Sequence, residues 1–155
     1  MSMNTVPERL AALRAAMAAN GVAVYLIPVG DPHASEYLPA HYTSLTWFSG
    51  FHGENSNLVV TRTGSALWAD GRYFVQAEKE LAGTEIELQR MGEPGVPTVE
   101  EYCANALNEG EVLGLCGLTA STALVNDLKK ALEKKGASIK TLNLEDELWT
   151  EGRPA

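Results

Sequence analysis

Short apolar runs alternate along this chain with longer segments whose apolar residues recur at helical spacing, and this alternation constrains the fold most strongly. The run Val22–Ile27 is rich in β-branched residues and bounded by Gly21 and Pro28, so it predicts a short buried strand. Further strands follow, of which the one at 85–89 is predicted from alternating polar and apolar residues. The predicted strands cover residues 22–27, 57–61, 65–69, 85–89, 112–116 and 138–142. Strands that alternate with helices are typical of an α/β layer sandwich.

Local end signals support the helices between these strands. Thr5 with Glu8, and Thr98 with Glu101, have the spacing of a capping box, in which a threonine and an acidic residue three positions later satisfy free N–H groups. The four predicted helices begin near residues 5, 70, 98 and 122. The first is expected to end at Asn20-Gly21 and the last at Gly136.

One hairpin decides the type of sheet. Residues 57–61 and 65–69 flank Arg62-Thr63-Gly64, a three-residue loop that favours an antiparallel pair. Strands connected through helices run parallel instead. We therefore predict an α/β fold with a mixed β-sheet of about six strands and helices on both faces, in one domain, since the chain has 155 residues.

Charge and apolar run length exclude several classes of function. The chain carries 20 acidic and 12 basic residues, a net charge of −8 that repels nucleic acid. Its longest apolar run, residues 22–29, is far below the roughly 20 residues of a membrane span, and no signal peptide is recognisable. Two cysteines, Cys103 and Cys116, predict buried thiols. We expect a cytoplasmic protein that binds neither nucleic acid nor a membrane.

Basic residues gather near the end of this acidic chain. We interpret them as a solvated helix face, not as a surface for an anionic partner. They are Lys129, Lys130, Lys134, Lys135 and Lys140.

A polar cluster follows the first predicted strand, where α/β proteins often place site residues. Asp31, His33 and Glu36, with His41 or His52, have the donor types that could ligate one divalent metal, which would make the chain a single-metal hydrolase. The alternatives are a turn held together by its own polar side chains and a loop that contacts a substrate or subunit. The residues alone leave these interpretations open.

The segment Asp70-Gly71-Arg72-Tyr73 is a second candidate site. Arg72 is predicted in the first turn of a helix, where free N–H groups already favour an anion, so it could clamp a carboxylate or pair with Asp70 inside the fold. No GxSxG or HExxH motif occurs, and the acidic and histidine residues do not form the array that a two-metal centre needs. We therefore predict no catalytic residue and no metal site in this chain.

Three motifs in register resemble the creatinase/prolidase N-terminal domain family, as found in Xaa-Pro aminopeptidases. They are Asp-x-His-x-Ser-Glu-Tyr at 31–37, Phe-Ser-Gly-Phe at 48–51 and Trp-x-Asp-Gly-Arg-Tyr-Phe-x-Gln-Ala at 68–77. The opening helix and Leu148-Trp149 near the end also resemble that family, so the similarity covers nearly the whole chain.

The resemblance implies a role inside a larger enzyme. Members carry a C-terminal "pita-bread" catalytic domain whose two divalent metals, usually manganese or zinc, activate the water that cleaves the bond before proline. Residues 1–150 would then be the N-terminal domain and 151–155 the start of a linker to a missing second domain, and the isolated chain would not be an enzyme. The implied partners are its own catalytic domain, a second copy in a homodimer and a proline-containing peptide.

By the same resemblance, the domain supports dimerisation and closes the substrate cleft. The implied substrate-binding residues are Arg72, His33 and Tyr73. The chief alternative is a stand-alone α/β module that binds a small anionic ligand at the loops after its strands.

Overall fold

The structure is a computed structural model that describes residues 6–28, 44–51, 57–62, 64–69, 71–115, 122–141 and 144. Five α-helices, six strands and one 3₁₀ turn lie within these ranges. In chain order they are α1 Val6–Ala19, β1 Val24–Pro28, α2 Ser44–Ser49, β2 Asn57–Thr61, β3 Ser65–Ala69, the 3₁₀ turn Gly71–Tyr73, α3 Phe74–Leu81, β4 Ile86–Arg90, α4 Val99–Ala106, β5 Val112–Leu115, α5 Thr122–Glu133 and β6 Ser138–Thr141.

The six strands form one mixed sheet in the order β4-β3-β2-β1-β5-β6. β2 runs antiparallel to both of its neighbours, β1 and β3, while the pairs β3–β4, β1–β5 and β5–β6 are parallel. Five of the described strands therefore end at the same edge of the sheet, which we call the carboxyl edge. The predicted mixed sheet of about six strands is confirmed, as is the hairpin of β2 and β3.

Helices cover both faces of this sheet, as predicted, and alternate strand residues enter two separate cores. On β1, Tyr25 and Ile27 pack in one core, whereas Val24 and Leu26 pack in the other. This is the two-residue side-chain period of a strand that is buried on both faces. The first core joins α1, α2 and α3 to the sheet through Leu10, Leu13, Met17, Phe48, Ala77 and Leu81. The second joins α4 and α5 through Val99, Cys103, Leu107, Leu128 and Leu132.

Two of the predicted helix ends are confirmed in detail. The Glu101 N–H donates to Thr98 Oγ1 at 3.2 Å at the start of α4, as expected for the capping box. At the end of α1, Gly21 has a φ of +71°, and the Val22 N–H donates to the Met17 carbonyl at 2.9 Å. A residue with a side chain would be strained at that φ, so glycine favours the turn. Thr5, the predicted cap of α1, lies outside the described residues.

The helix expected from Asp70 onward begins later than predicted. Residues Gly71–Tyr73 form a 3₁₀ turn, and α3 starts at Phe74. Tyr73 occupies the N-cap position with φ −116° and ψ 6°, values that lie outside the α region and interrupt the helix. Arg72 therefore lies in a 3₁₀ turn that leads directly into α3, and the helical turn predicted for it is not yet part of the α-helix. Asp70, the expected cap, is not among the described residues.

Candidate functional site

Two motif segments that are separate in the sequence meet at the carboxyl edge. The Phe51 and Tyr73 rings pack edge to face, with centroids 6.2 Å apart and planes at 89°. Phe51 is completely buried and Tyr73 is half-buried. We call Phe51 together with the turn Gly71–Tyr73 the aromatic corner. It joins the Phe-Ser-Gly-Phe segment to the segment that follows β3.

The sequence on each side of the corner explains why it forms. Gly50 has a φ of +78°, which lets the chain turn sharply from α2 into Phe51. The Phe51 N–H donates to the buried Ser49 hydroxyl at 3.1 Å, which satisfies a polar side chain in the core. Phe51 therefore enters the core in a fixed orientation directly after α2.

The end of β3 is held in place by hydrogen bonds to the segment that follows β4. The Trp68 indole N–H donates to the Pro97 carbonyl at 2.9 Å, and the Met91 N–H donates to the Ala69 carbonyl at 3.0 Å. Trp68 also packs edge to face on Tyr102, with centroids 5.0 Å apart. These contacts fix the last residues of β3, and the 3₁₀ turn with Arg72 and Tyr73 starts two residues beyond Ala69.

The structure describes the three sequence-predicted substrate residues to different extents. The Tyr73 side chain is part of the aromatic corner, and the backbone of Arg72 lies beside it in the same turn. The Arg72 side chain and the whole of His33 lie outside the described residues, as do Asp31, Glu36, His41 and His52. The structure thus brings two of the three positions to one place and leaves their binding role as a prediction.

Arg9, which has no sequence signal of a site residue, anchors α2 beside the aromatic corner. The Arg9 guanidinium stacks over the Trp47 ring at 4.5 Å from its centroid, and Nη1 donates to the Trp47 carbonyl at 2.8 Å. Burial lowers the pKa of Arg9, partly offset by the neighbouring Glu8 carboxylate. No local signal could have identified this contact, because 38 residues separate its partners.

Two cavities lie away from the aromatic corner. One of about 430 Å³ is lined by Ala23, Thr61, Arg62, Tyr102, Asn105 and Ala106. Burial, and then the Glu87 carboxylate, raise the pKa of Tyr102 beside it. The second cavity, of about 480 Å³, lies between α5 and β6 and is lined largely by polar residues of α5. Tyr73 is not among the described residues that line either cavity.

The described ranges contain neither a metal-binding cluster nor a membrane-spanning helix. Within them, no group of three or more His, Cys, Asp or Glu side chains is placed to hold a metal ion. The same ranges contain no helix with the length and apolar character needed to cross a membrane. Cys103 is fully buried, as predicted, and burial raises the pKa of its thiol far above the usual range.

Sequence comparison identifies relatives along nearly the whole chain. The family described as the Creatinase/Prolidase N-terminal domain matches residues 9–148. Aminopeptidase P2 of Arabidopsis thaliana is 40% identical over 154 residues, which are 96% of this chain and 22% of that protein. A probable Xaa-Pro aminopeptidase P of Sordaria macrospora is 39% identical over 157 residues, or 99% of this chain and 25% of the relative. The chain thus spans about a quarter of the length of these relatives.

Solved structures have the same fold. The X-prolyl aminopeptidase of Caenorhabditis elegans, described as a cytosolic enzyme with a di-nuclear active site, superposes with a TM-score of 0.88 at 33% identity. The match covers 98% of this chain and 26% of that one. The N-terminal domain of the cytoplasmic peptidase PepQ from Mycobacterium tuberculosis gives a TM-score of 0.65 at 26% identity, covering 90% of this chain and 97% of that domain.

Proposed function

The chain belongs to the creatinase/prolidase N-terminal domain family, and from this premise we propose that it is the non-catalytic N-terminal domain of a metal-dependent Xaa-Pro aminopeptidase. In the whole protein it contributes to dimerisation and to closing the substrate cleft. Residues 1–150 form this domain, and residues 151–155 begin the linker to the next one. The expected location is the cytoplasm, which agrees with the description of the C. elegans relative as cytosolic.

One observation carries the proposal. Nearly all of this chain aligns with an aminopeptidase P2 and a probable Xaa-Pro aminopeptidase P, yet it accounts for only 22% and 25% of their lengths. By contrast, the PepQ N-terminal domain, which was solved by itself, corresponds to the chain almost end to end. The relatives therefore have a further part about three times as long as this chain, and this supports assigning the reaction of the parent to that part.

The chemistry proposed for the parent needs groups that hold two divalent metals. Two-metal hydrolysis places the ions about 3.5–4 Å apart, so that they activate water and stabilise the charge that develops on the substrate. We assign manganese or zinc in this role to the C-terminal catalytic domain, in line with the di-nuclear site named for the C. elegans enzyme. The partners of this chain are that domain, a second copy of the protein and a proline-containing peptide.

Within this chain, Arg72, His33 and Tyr73 are our proposed substrate contacts. Support for Tyr73 and Arg72 comes from their place in a turn anchored between β3 and α3 and packed on Phe51. A side chain on such a supported turn can be presented to a neighbouring domain at little cost in conformational entropy. His33 is included only because it falls within the first family motif.

Two assays separate the proposed assignments. The isolated chain with added Mn²⁺ should release no N-terminal residue from an Xaa-Pro peptide, and activity that survives further purification would overturn the non-catalytic role.

In the full-length parent, Arg72→Ala should raise KM, while Lys79→Ala, on the exposed side of α3, should leave it unchanged. An unchanged KM in Arg72→Ala would remove Arg72 as a contact without affecting the domain assignment.

Dimerisation is tested by sedimentation of the parent and of this chain at several concentrations. A parent that dimerises more weakly when this domain is deleted supports the proposed contribution. A parent whose dimerisation constant is unaffected by the deletion contradicts it.

A further inference from the structure

β6 is the outermost strand on one side of the described sheet. It pairs with β5, and no other described strand lies beyond it. Ser138, Lys140 and Thr141 are exposed and Ile139 is half-buried. An outer strand presents unpaired N–H and C=O groups, which can accept a further strand.

A groove runs along this edge and is formed by α5 on one side. It is the cavity of about 480 Å³, and Leu132, Ala137 and Ile139 supply its apolar part. Its wall consists of Asn126, Lys129, Lys130 and Glu133. These positions follow the i, i+3, i+4, i+7 spacing, so they share one face of α5 beside β6. We call this cavity the lysine groove.

The lysines of the groove are available to a partner. Lys129 and Lys130 are exposed, and neither forms an ion pair with any residue that the structure describes. On the opposite face of β6, Lys140 Nζ lies 3.4 Å from the Asn20 carbonyl, to which it donates. A strand added beside β6 would therefore have Lys129 and Lys130 near its side chains on the α5 face. Its alternate side chains, on the other face, would lie near Lys140.

The sequence alone favoured a merely solvated face for these lysines, but their place in a groove beside β6 changes that interpretation. We propose that the lysine groove binds an extended acidic peptide segment, which adds to the sheet as a strand next to β6. Backbone pairing supplies affinity in this mode, and the alternating side chains supply specificity. Acidic side chains on the α5 face would meet Lys129 and Lys130, and those on the other face would meet Lys140. Glu133, at the end of the groove, would repel an acidic residue beside it.

Two other occupants fit this surface less well. A second copy that paired through β6 would bring lysines against lysines, since lysine on an outer strand opposes self-pairing. Single-stranded nucleic acid binds through aromatic stacking platforms, and none of the described residues that line the groove is aromatic. The net charge of −8 further opposes a polyanion longer than the groove.

Binding can be measured by fluorescence anisotropy with a labelled peptide of alternating glutamate and valine, about eight residues long. Its glutamates share one face of an added strand, so they test the contacts with Lys129 and Lys130. The control peptide has the same charges but proline in place of valine, which removes backbone donors and strand geometry. We expect the first peptide to bind and added salt to weaken it, and the proline peptide to bind at least about tenfold more weakly.

Matched variants locate the binding site. Lys129→Glu and Lys130→Glu should each weaken binding by about five- to tenfold, whereas Lys79→Glu, on α3 at the opposite face of the sheet, should change it by less than about twofold. Glu133→Lys should strengthen binding, a gain that misfolding cannot mimic. Equal binding of the proline peptide, unchanged binding by the lysine variants, or tighter binding of oligothymidylate than of the peptide would each overturn the proposal.

Discussion

Arg14 on α1 holds Glu85, the residue before β4, through two parallel hydrogen bonds of 2.9 and 2.8 Å. The same guanidinium donates from Nε to the Thr61 carbonyl at 2.8 Å and from Nη2 to the Gly64 carbonyl at 2.9 Å. One side chain thereby joins a helix, the β2–β3 hairpin and the start of an outer strand. The planar fork of arginine can reach four acceptors in this way, and lysine cannot.

Replacement of Arg14 should therefore destabilise the domain. We expect Arg14→Lys to lower the free energy of unfolding by about 1–3 kcal/mol, because partly buried acceptors lose their donors. Urea unfolding measures this change. Arg62→Ala is the control, because Arg62 pairs with Glu111 from a position that is 64% exposed and should contribute little. Equal effects of the two substitutions would contradict the bridging role.

Glu85 should make stability depend on pH in the acid range. Hydrogen bonding from Arg14 holds the pKa of Glu85 below its ordinary value, against an opposing effect of burial. A lowered folded-state pKa means that the stabilisation is complete above the unfolded-state pKa of about 4.3 and is lost as pH falls through the folded-state value. The stability advantage of the wild type over Glu85→Gln should then shrink below about pH 4. An advantage that stayed constant from pH 7 to pH 3 would exclude this linkage.

The aromatic corner should contribute measurably to the free energy of unfolding. Phe51→Ala removes a fully buried ring and should lower the free energy of unfolding by about 3–5 kcal/mol. Val75→Ala, at a side chain that is 66% exposed, should change it by no more than about 0.5 kcal/mol.

A double-mutant cycle tests the ring contact itself. Phe51→Leu and Tyr73→Leu, made singly and together, should show a coupling energy of about 0.5–1.5 kcal/mol beyond the loss of area. Strictly additive effects would mean that the two rings touch without contributing specifically.

The Cys103 thiol should be inert in the native protein. Burial raises its pKa, so the thiolate that reacts with disulfide reagents is scarce and shielded. In a Cys116→Ala background, the reaction with Ellman's reagent at pH 8 should be more than about a hundredfold slower than in denaturant. Comparable rates in the two conditions would indicate that the second core opens readily.

Features that depend on neighbouring residues could be read from the sequence. The Thr98 cap needs only an N–H three residues away, and the end of α1 needs only the conformational freedom of Gly21. Strands buried on both faces, such as β2, β3 and β5, produce apolar runs, whereas β4 shows alternation. All six described strands were predicted, with ends displaced by up to two residues. The order and spacing of three motifs were sufficient for the family, which the match over residues 9–148 confirms.

Contacts between distant segments were decided only by the tertiary structure. Arg14 and Glu85 are 71 residues apart, and Arg9 and Trp47 are 38 apart. Both contacts depend on the order and direction of the strands, because β2 lies between β1 and β3 and is antiparallel to both. The late start of α3 has the same origin, since Tyr73 packs on Phe51 and does not continue a helix. Local spacing therefore determined the six strands and four of the five described helices, but not the short α2. Packing across the sheet determined which side chains meet, because burial stabilises contacts irrespective of their separation along the chain.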